Sequence, residues 1–158
     1  PKTMKILGID PGTGIMGFGV IKKDGHDVKM LDAGVIRTHK DDTDHDRLLE
    51  LYDCLQEIIE TNKPDAMVVE KLFFGRNVTT VMTVSQARGI ALLVGAQAKI
   101  PIYEYTPMQI KMALTGYGKA DKKQIQEMVR VILKLKEIPK PDDAADALAA
   151  ALTYAQSS

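Results

Sequence analysis

Residues 6–14 read ILGIDPGTG, an apolar run that ends in one aspartate and is followed at once by Pro-Gly-Thr-Gly. An apolar run before a Pro-Gly turn predicts a buried strand over Lys5–Asp10. Asp10 then stands at the tip of that strand, where a carboxylate either opens the turn by accepting a backbone N–H or serves as a ligand. Two classes of protein place an aspartate there: one binds a nucleotide, and the other binds a metal ion.

Around this stretch, the hydrophobic pattern predicts one α/β domain over residues 1–158 with a mixed five-stranded sheet flanked by helices. The first three strands form an antiparallel meander that includes an Asp24-Gly25 turn, and the later strands alternate with helices and run parallel. The predicted strands are Lys5–Asp10, 15–22, 28–37, 65–70 and 101–105. Helices are predicted from the DDTDHD segment through Ile59, over 78–99, from Pro107, over Asp121–Leu135 and from Asp142 onward.

Composition indicates the cellular compartment and shows how charge is distributed along the chain. The single cysteine, Cys54, excludes an internal disulfide and is typical of a reducing cytoplasm. The sequence has no apolar run long enough to cross a bilayer and no signal-peptide pattern, so we expect a cytoplasmic protein without membrane contact. The net charge is zero, yet residues 71–140 carry 12 basic and 4 acidic side chains. That span is either ordinary solvated surface or a positive face.

Four acidic residues occupy positions where acids are unusual. Asp10 and Glu70 end two predicted strands, and if those strands are neighbours their tips lie side by side at one edge of the sheet. Asp143 and Asp146 are three residues apart at the start of the closing helix, so they share one face. Four clustered carboxylates repel each other unless a hard cation such as Mg²⁺ relieves the repulsion. The pattern therefore predicts a metal site.

Most of these acids also have an ordinary structural interpretation. Glu70 could form an ion pair with Lys71, and either Asp142 or Asp143 could cap the closing helix. Asp146 is harder to explain in this way, because the helix around it is otherwise small and apolar.

The opening stretch also resembles the first phosphate loop of actin-like and sugar-kinase ATPases. Those proteins close two such domains over ATP, whereas a chain of 158 residues has room for one, and no second loop of the kind is present. The sequence therefore favours the metal site over an ATPase fragment.

Five blocks of sequence follow one another across nearly the whole chain: GIDPGTGIMGFGVI (8–21), VVEKLFFGRN (68–77), SQARG (85–89), YEYTPMQIKMALTGYGKADKKQI (103–125) and DDAADALAAAL (142–152). In this order and spacing they resemble the RuvC family of bacterial Holliday-junction resolvases, within the ribonuclease-H-like nuclease and integrase superfamily. The resemblance implies a ribonuclease-H-like fold and metal-dependent, paired cleavage of four-way DNA junctions in recombination and repair. The alternative is another nuclease of this superfamily that acts on RNA–DNA hybrids or flaps.

The resemblance also implies partners. The family works as a homodimer, and its cleavage of DNA leaves 5′-phosphate and 3′-hydroxyl ends. RuvA and RuvB are the expected branch-migration partners. The predicted 78–99 helix is apolar around much of its circumference, so one face can cover the sheet while another is free for a second copy.

The family's catalytic acids fall on the same four residues: Asp10, Glu70, Asp143 and Asp146. Asp143 is chosen over Asp142 because the family motif reads acid-Ala-Ala-Asp, and the extra acid at 142 departs from that motif. By resemblance, two Mg²⁺ ions occupy each site, and Mn²⁺ is the expected substitute.

The DNA contacts are predicted from the same resemblance and from the positive span. Lys111 and Lys122 match lysines that the family places beside the scissile phosphate. Phe73 matches a ring that enters the junction, although Phe73 and Phe74 could instead be buried staples of their loop. The remaining predicted DNA contacts are basic or polar residues of the positive span: Arg76, Asn77, Lys119, Lys123 and Arg130.

Overall fold

The computed structural model describes residues 3–71 and 78–157, which build a mixed five-stranded sheet with helices on both faces. The elements in chain order are β1 (Thr3–Asp10), β2 (Ile15–Asp24), β3 (Asp27–Arg37), α1 (Asp44–Asn62), β4 (Ala66–Glu70), α2 (Val78–Gln97), β5 (Ile102–Tyr105), α3 (Pro107–Thr115), α4 (Lys122–Ile132) and α5 (Asp142–Ser157). The strand order is β3-β2-β1-β4-β5. β1, β2 and β3 are antiparallel neighbours, while β4 runs parallel to β1 and β5 parallel to β4. The predicted fold class is confirmed.

The two faces of the sheet are covered by different helices. Successive side chains of a strand point to opposite faces, so neighbouring apolar residues enter different cores. Ile6 and Val68 are buried with α3, α4 and α5 on one face, whereas Leu7 and Met67 are buried with α1 and α2 on the other. The strands next to the site are therefore rigid, because both faces of each are packed.

Local capping sets where the helices begin. Thr106 and Gln109 form a capping box at the start of α3, and Asp121 and Gln124 form another at the start of α4. The predicted helix over Asp121–Leu135 is therefore shorter in the structure, since Asp121 is its cap and the helix ends at Ile132. The apolar period continues beyond that end because Leu133 is still buried in the core.

α2 has apolar residues on two faces. Ala87, Ala91 and Val94 are buried against the sheet, while Met82 and Leu93 are about half exposed, at 56% and 47%. Of the helices in the described ranges, none is both long enough and apolar enough to cross a membrane.

A candidate metal-binding active site at the edge of the sheet

β1 and β4 bring two of the predicted acids to one edge. The strands pair in parallel, with Ile9 opposite Val69, and each ends one residue later. Asp10 and Glu70 therefore leave neighbouring strands side by side, as their positions in the sequence predicted. The carboxyl ends of parallel strands are the usual place for a site in such sheets.

α5 brings the other two acids, and it can do so because β1 and β2 carry glycines beneath it. A Cβ atom on Gly8 would lie 2.0 Å from the carbonyl oxygen of Ala147, and one on Gly17 would lie 2.0 Å from that of Asp143. Gly17 is also the β2 partner of Asp10. A larger residue at Gly17 would push the first turn of α5 away from the sheet, and one at Gly8 would push the following turn away.

These glycines position the site, although none of them was predicted as a site residue. Gly17 and Gly19 alternate on β2, and Gly8 faces Gly19 in the register. Glycine is normally unfavourable inside a strand and marks places where another backbone approaches closely. In the sequence, the signal for this close approach is the alternation of glycine along a predicted strand, together with an alanine-rich helix late in the chain.

Three carboxylates meet at this edge. Asp10, Asp143 and Asp146 each offer one oxygen, and these oxygens lie within 4.8 Å of one another. Asp10 is buried and the other two are half-buried. Divalent cations take carboxylate oxygens at about 2.0–2.6 Å, so a set of this size and hardness can hold Mg²⁺ or a similar ion.

Glu70 lies beside this group rather than within it. Its side chain lines a pocket of about 260 Å³ together with Lys111, Lys122 and Asp146. It is close enough to the cluster for the charges of Asp146 and Asp143 to act on its ionisation. Glu70 therefore faces the space between the acidic cluster and the two lysines.

Burial and mutual repulsion change the ionisation of the acids. Burial, followed by the charge of Glu70, raises the pKa of Asp10 to about 9. Burial and the charge of Asp146 raise the pKa of Glu70 to about 7, although Lys122 opposes this shift. The metal-free cluster thus retains protons near neutral pH, and a bound cation would favour their release.

The first turn of α5 separates the roles of two adjacent aspartates. α5 begins at Asp142, so neither Asp142 nor Asp143 is the residue that precedes and caps the helix. The carbonyl of the preceding Pro141 instead accepts a hydrogen bond from Ala144 N, at 2.9 Å. Both acids lie in the first turn, where a negative charge is favourable beside the positive end of the helix dipole. Of the two, only Asp143 belongs to the acidic cluster.

The two lysines predicted to act at the scissile phosphate flank the acids. Lys122 Nζ lies 3.6 Å from Asp146 Oδ2 and 3.5 Å from Asp142 Oδ2. Lys111 lines the same pocket, and its charge, like that of Lys122, opposes the rise in the pKa of Glu70. The structure therefore brings both lysines to the acidic edge.

Three other predicted DNA contacts, Lys119, Lys123 and Arg130, do not line this pocket. Lys119 and Lys123 are exposed next to Lys122. Arg130 lies seven residues beyond Lys123 on α4, which is about 10 Å along the helix. Its guanidinium forms an ion pair with Glu127. Arg130 was predicted only as a basic residue of the positive span, although the three-residue spacing from Glu127 allows this pair on a helix.

Four predicted residues lie outside the part of the chain that the structure describes: Phe73, Phe74, Arg76 and Asn77.

Known proteins with similar sequences and structures are RuvC nucleases, in agreement with the acidic site. The family described as crossover junction endodeoxyribonuclease RuvC matches residues 6–154. The chain belongs to the RuvC family. It is 54% identical over 153 residues to the RuvC of Brevibacillus brevis, which covers 97% of this chain and 92% of the relative. It is 55% identical over 152 residues to the RuvC of Chloroflexus aggregans, which covers 96% of this chain and 93% of the relative.

Solved structures of RuvC proteins share the same architecture. RuvC of Thermus thermophilus in complex with a Holliday junction substrate superposes with a TM-score of 0.93 at 38% identity, over 98% of this chain and 94% of that one. The yeast mitochondrial resolvase Ydc2 superposes with a TM-score of 0.71 over 96% of this chain and 77% of that one, at 12% identity, which is a likeness of fold alone. The resemblance inferred from the five sequence blocks is confirmed.

Proposed function

We propose that this protein is a structure-selective endonuclease that resolves four-way DNA junctions by paired, symmetric cleavage, leaving 5′-phosphate and 3′-hydroxyl ends. The observation that carries the proposal is the cluster of Asp10, Asp143 and Asp146 beside Glu70, flanked by two lysines, in a RuvC-family fold. Membership of a family whose Thermus relative is seen with a Holliday junction supports the choice of substrate.

The acids Asp10, Glu70, Asp143 and Asp146 would hold two Mg²⁺ ions, with Mn²⁺ as a substitute. Their donor set supports this assignment, because hard carboxylate oxygens are the ligands that these ions prefer. Ions held by these residues would supply the acidity that activates a water for attack on the phosphate and positive charge for the leaving 3′-oxygen.

The protein's own contribution is position and charge. Asp10 is held at the end of a strand that is packed on both faces, and the close approach of α5 fixes Asp143 and Asp146 against it. Lys122 and Lys111 add positive charge on the pocket side of Glu70. Charge at that place stabilises a phosphate as negative charge develops in the transition state.

The positive span beyond the site would bind the DNA backbone. Lys119 and Lys123 are exposed on either side, in sequence, of the pocket-lining residues 120–122, and they are proposed to contact phosphates without reading sequence. For Arg130 this role is less direct, because its guanidinium already pairs with Glu127. Phe73 remains the proposed wedge, and Phe74, Arg76 and Asn77 remain proposed contacts of the same loop.

A homodimer would supply two sites in matching orientation for the two cuts. α2 presents a face suited to this contact, because Val78, Met82 and Leu93 are exposed along one side of the helix. A Cβ added at Gly89, on the same side, would have no atom within 4 Å, so another helix could approach closely there. RuvA and RuvB are proposed as further partners by family, and the cytoplasm as the place of action, in keeping with the single free cysteine.

The test compares substrates. Wild-type protein is incubated with a labelled mobile four-way junction and with an RNA–DNA hybrid duplex of matched length, each with and without Mg²⁺. We expect paired nicks in the junction only when Mg²⁺ is present, and little cleavage of the hybrid. Preferential cleavage of the hybrid would instead assign the protein to a different branch of the ribonuclease-H-like nucleases.

A further inference from the structure

The turn after Asp10, formed by residues 11–14 and called here the 11–14 turn, is fastened by a residue far along the chain. The backbone N–H of Thr38 donates to the carbonyl oxygen of Gly14 at 3.1 Å. The Thr38 hydroxyl donates to the carbonyl oxygen of Thr13 at 2.6 Å. Thr38 therefore holds two successive carbonyl groups of the turn that leads out of the metal-binding strand.

Arg47 holds Thr38 in turn. Its Nε donates to the Thr38 hydroxyl at 2.9 Å, so that this hydroxyl both donates and accepts. The Nη2 atom of Arg47 lies 3.0 Å from the position that a Cβ on Gly14 would occupy, so the guanidinium packs directly over the turn. Arg47 is half-buried on α1, and within residues 3–71 and 78–157 it has no carboxylate partner in an ion pair.

The turn is also tied to α2. Thr13 is 6% exposed, and its hydroxyl donates to the carbonyl oxygen of Thr83 at 2.8 Å. A buried hydroxyl of this kind is costly unless it is bonded, so the contact fixes the side of the turn that faces α2. The 11–14 turn is thus held from α1 through Arg47, from the end of β3 through Thr38, and from α2 through Thr83.

We propose that Thr38, Arg47 and Thr13 are positioning residues that set Asp10 for metal binding. This rests on the proposed function, in which Asp10 is a metal ligand. Asp10 is the last residue of β1, so the conformation of the turn decides how its carboxylate meets Asp143 and Asp146 on α5. Groups that orient a metal ligand typically affect metal affinity about 10–100-fold.

Thr38 allows a sharp test, because valine has nearly its shape and lacks both side-chain hydrogen bonds, whereas serine keeps them. The variants are Thr38→Val and Thr38→Ser. Arg47→Met, which keeps most of the side-chain stem and loses the donor, serves as a second variant in case Thr38→Val does not fold. The matched control is Tyr52→Phe, which removes two hydrogen bonds away from the turn: the hydroxyl donates to Gln97 of α2 at 2.6 Å and accepts from Gln56 at 3.0 Å.

Two readouts are taken beside thermal unfolding. The first is the dissociation constant of Mn²⁺ for the DNA-free protein, measured by electron paramagnetic resonance of the free ion. The second is the Mg²⁺ concentration that half-saturates junction cleavage. We expect Thr38→Val to raise both roughly 10-fold, Arg47→Met to raise both by less, and Thr38→Ser and Tyr52→Phe to leave both unchanged.

Folded Thr38→Val and Arg47→Met proteins with wild-type Mn²⁺ affinity would overturn the proposal. So would equal effects of Thr38→Val and Tyr52→Phe, because the network would then act only on general stability. If the wild type cuts no junction, the proposed function fails, and the Mn²⁺ measurement still decides whether these residues position Asp10.

Discussion

The side-chain amide of Gln126 donates from Nε2 to Oδ1 of Asp142 at 3.0 Å, which holds this carboxylate against α4. Its neighbour Asp143 belongs instead to the acidic cluster. Successive residues of a helix point about 100° apart, and here the two adjacent acids of one first turn have different neighbours. The structure thus supplies a physical reason to choose between two aspartates that the sequence places side by side.

Replacing these two aspartates by asparagine separates their roles. Asp143→Asn should lower the single-turnover cleavage rate by at least about 100-fold, since the amide keeps the shape and loses the charge that a cation needs. Asp142→Asn should cost less than about 10-fold, through the looser hold on Lys122. The rates are measured at saturating Mg²⁺, with junction binding measured separately in Ca²⁺. A larger loss from Asp142→Asn would mean that the metal ligand is the other neighbour.

Lys111→Ala and Lys122→Ala should each slow cleavage more than they weaken binding. Positive charge beside the reacting phosphate matters most in the transition state, and loss of one such group costs roughly 100-fold in rate. Lys134→Ala is the control, because Lys134 is exposed beyond the far end of α4. Its loss should only make binding slightly less dependent on salt. Equal rate losses in all three variants would show a diffuse docking surface.

The metal-free protein should lose stability as the pH rises. The pKa of Asp10 is raised from 3.8 to about 9 in the fold, and that of Glu70 from 4.5 to about 7. A carboxyl group with a raised pKa in the folded state stabilises the fold below its unfolded pKa, and this stability is lost as the pH rises through the folded pKa. The Tm without metal should therefore fall between pH 5 and pH 9, and Mg²⁺ should restore part of it.

Asp10→Asn provides the matched check of that pH dependence. The amide cannot ionise, so without metal the variant should melt at least about 3 °C above the wild type at pH 8 and close to it at pH 5. Calorimetry at both pH values, with and without Mg²⁺, gives the comparison. A variant that is less stable than the wild type at pH 8 would mean that the buried charge is already compensated within the protein.

The sequence was sufficient for the parts of the site that depend on local pattern. Asp10 and Glu70 were placed at one edge because each ends an apolar strand, and the spacing of Asp143 and Asp146 placed them on one face of a helix. These inferences need only the periods of strands and helices and the pairing of β1 with β4.

What the sequence could not give depends on contacts between distant segments. The bond from Thr38 to Thr13 exists because the end of β3 passes the turn after β1, and nothing in the sequence pairs these two threonines, which are 25 residues apart. By contrast, Arg130 was predicted to bind DNA as a basic residue of the positive span, and its ion pair with Glu127, three residues earlier on α4, is a local contact that helical spacing permits but does not require. The approach of α5 likewise depends on Gly17, and the alternation of glycines on β2 does not by itself show which helix lies above it.

Phe73→Ala separates a junction-specific enzyme from a general nuclease. An apolar ring inserted at a base step costs about a few kcal/mol of unstacking in intact duplex, and much less where a junction already interrupts stacking. The variant should fold and bind metal normally but resolve junctions poorly. A fluorescent base analogue at the crossover should report less unstacking than with the wild type. Reduced thermal stability with an unchanged analogue signal would make the ring a core staple.

The most direct measurement of the central claim is the cleavage of a labelled mobile four-way junction by the wild type, Asp10→Asn and Asp146→Asn in Mg²⁺, alongside their junction binding. The acidic cluster predicts that the wild type makes paired nicks at symmetric positions. Both variants should bind the junction as tightly and leave it uncut. Normal turnover by either variant would contradict the account, because the chemistry would then not depend on the carboxylates that β1 and α5 bring together.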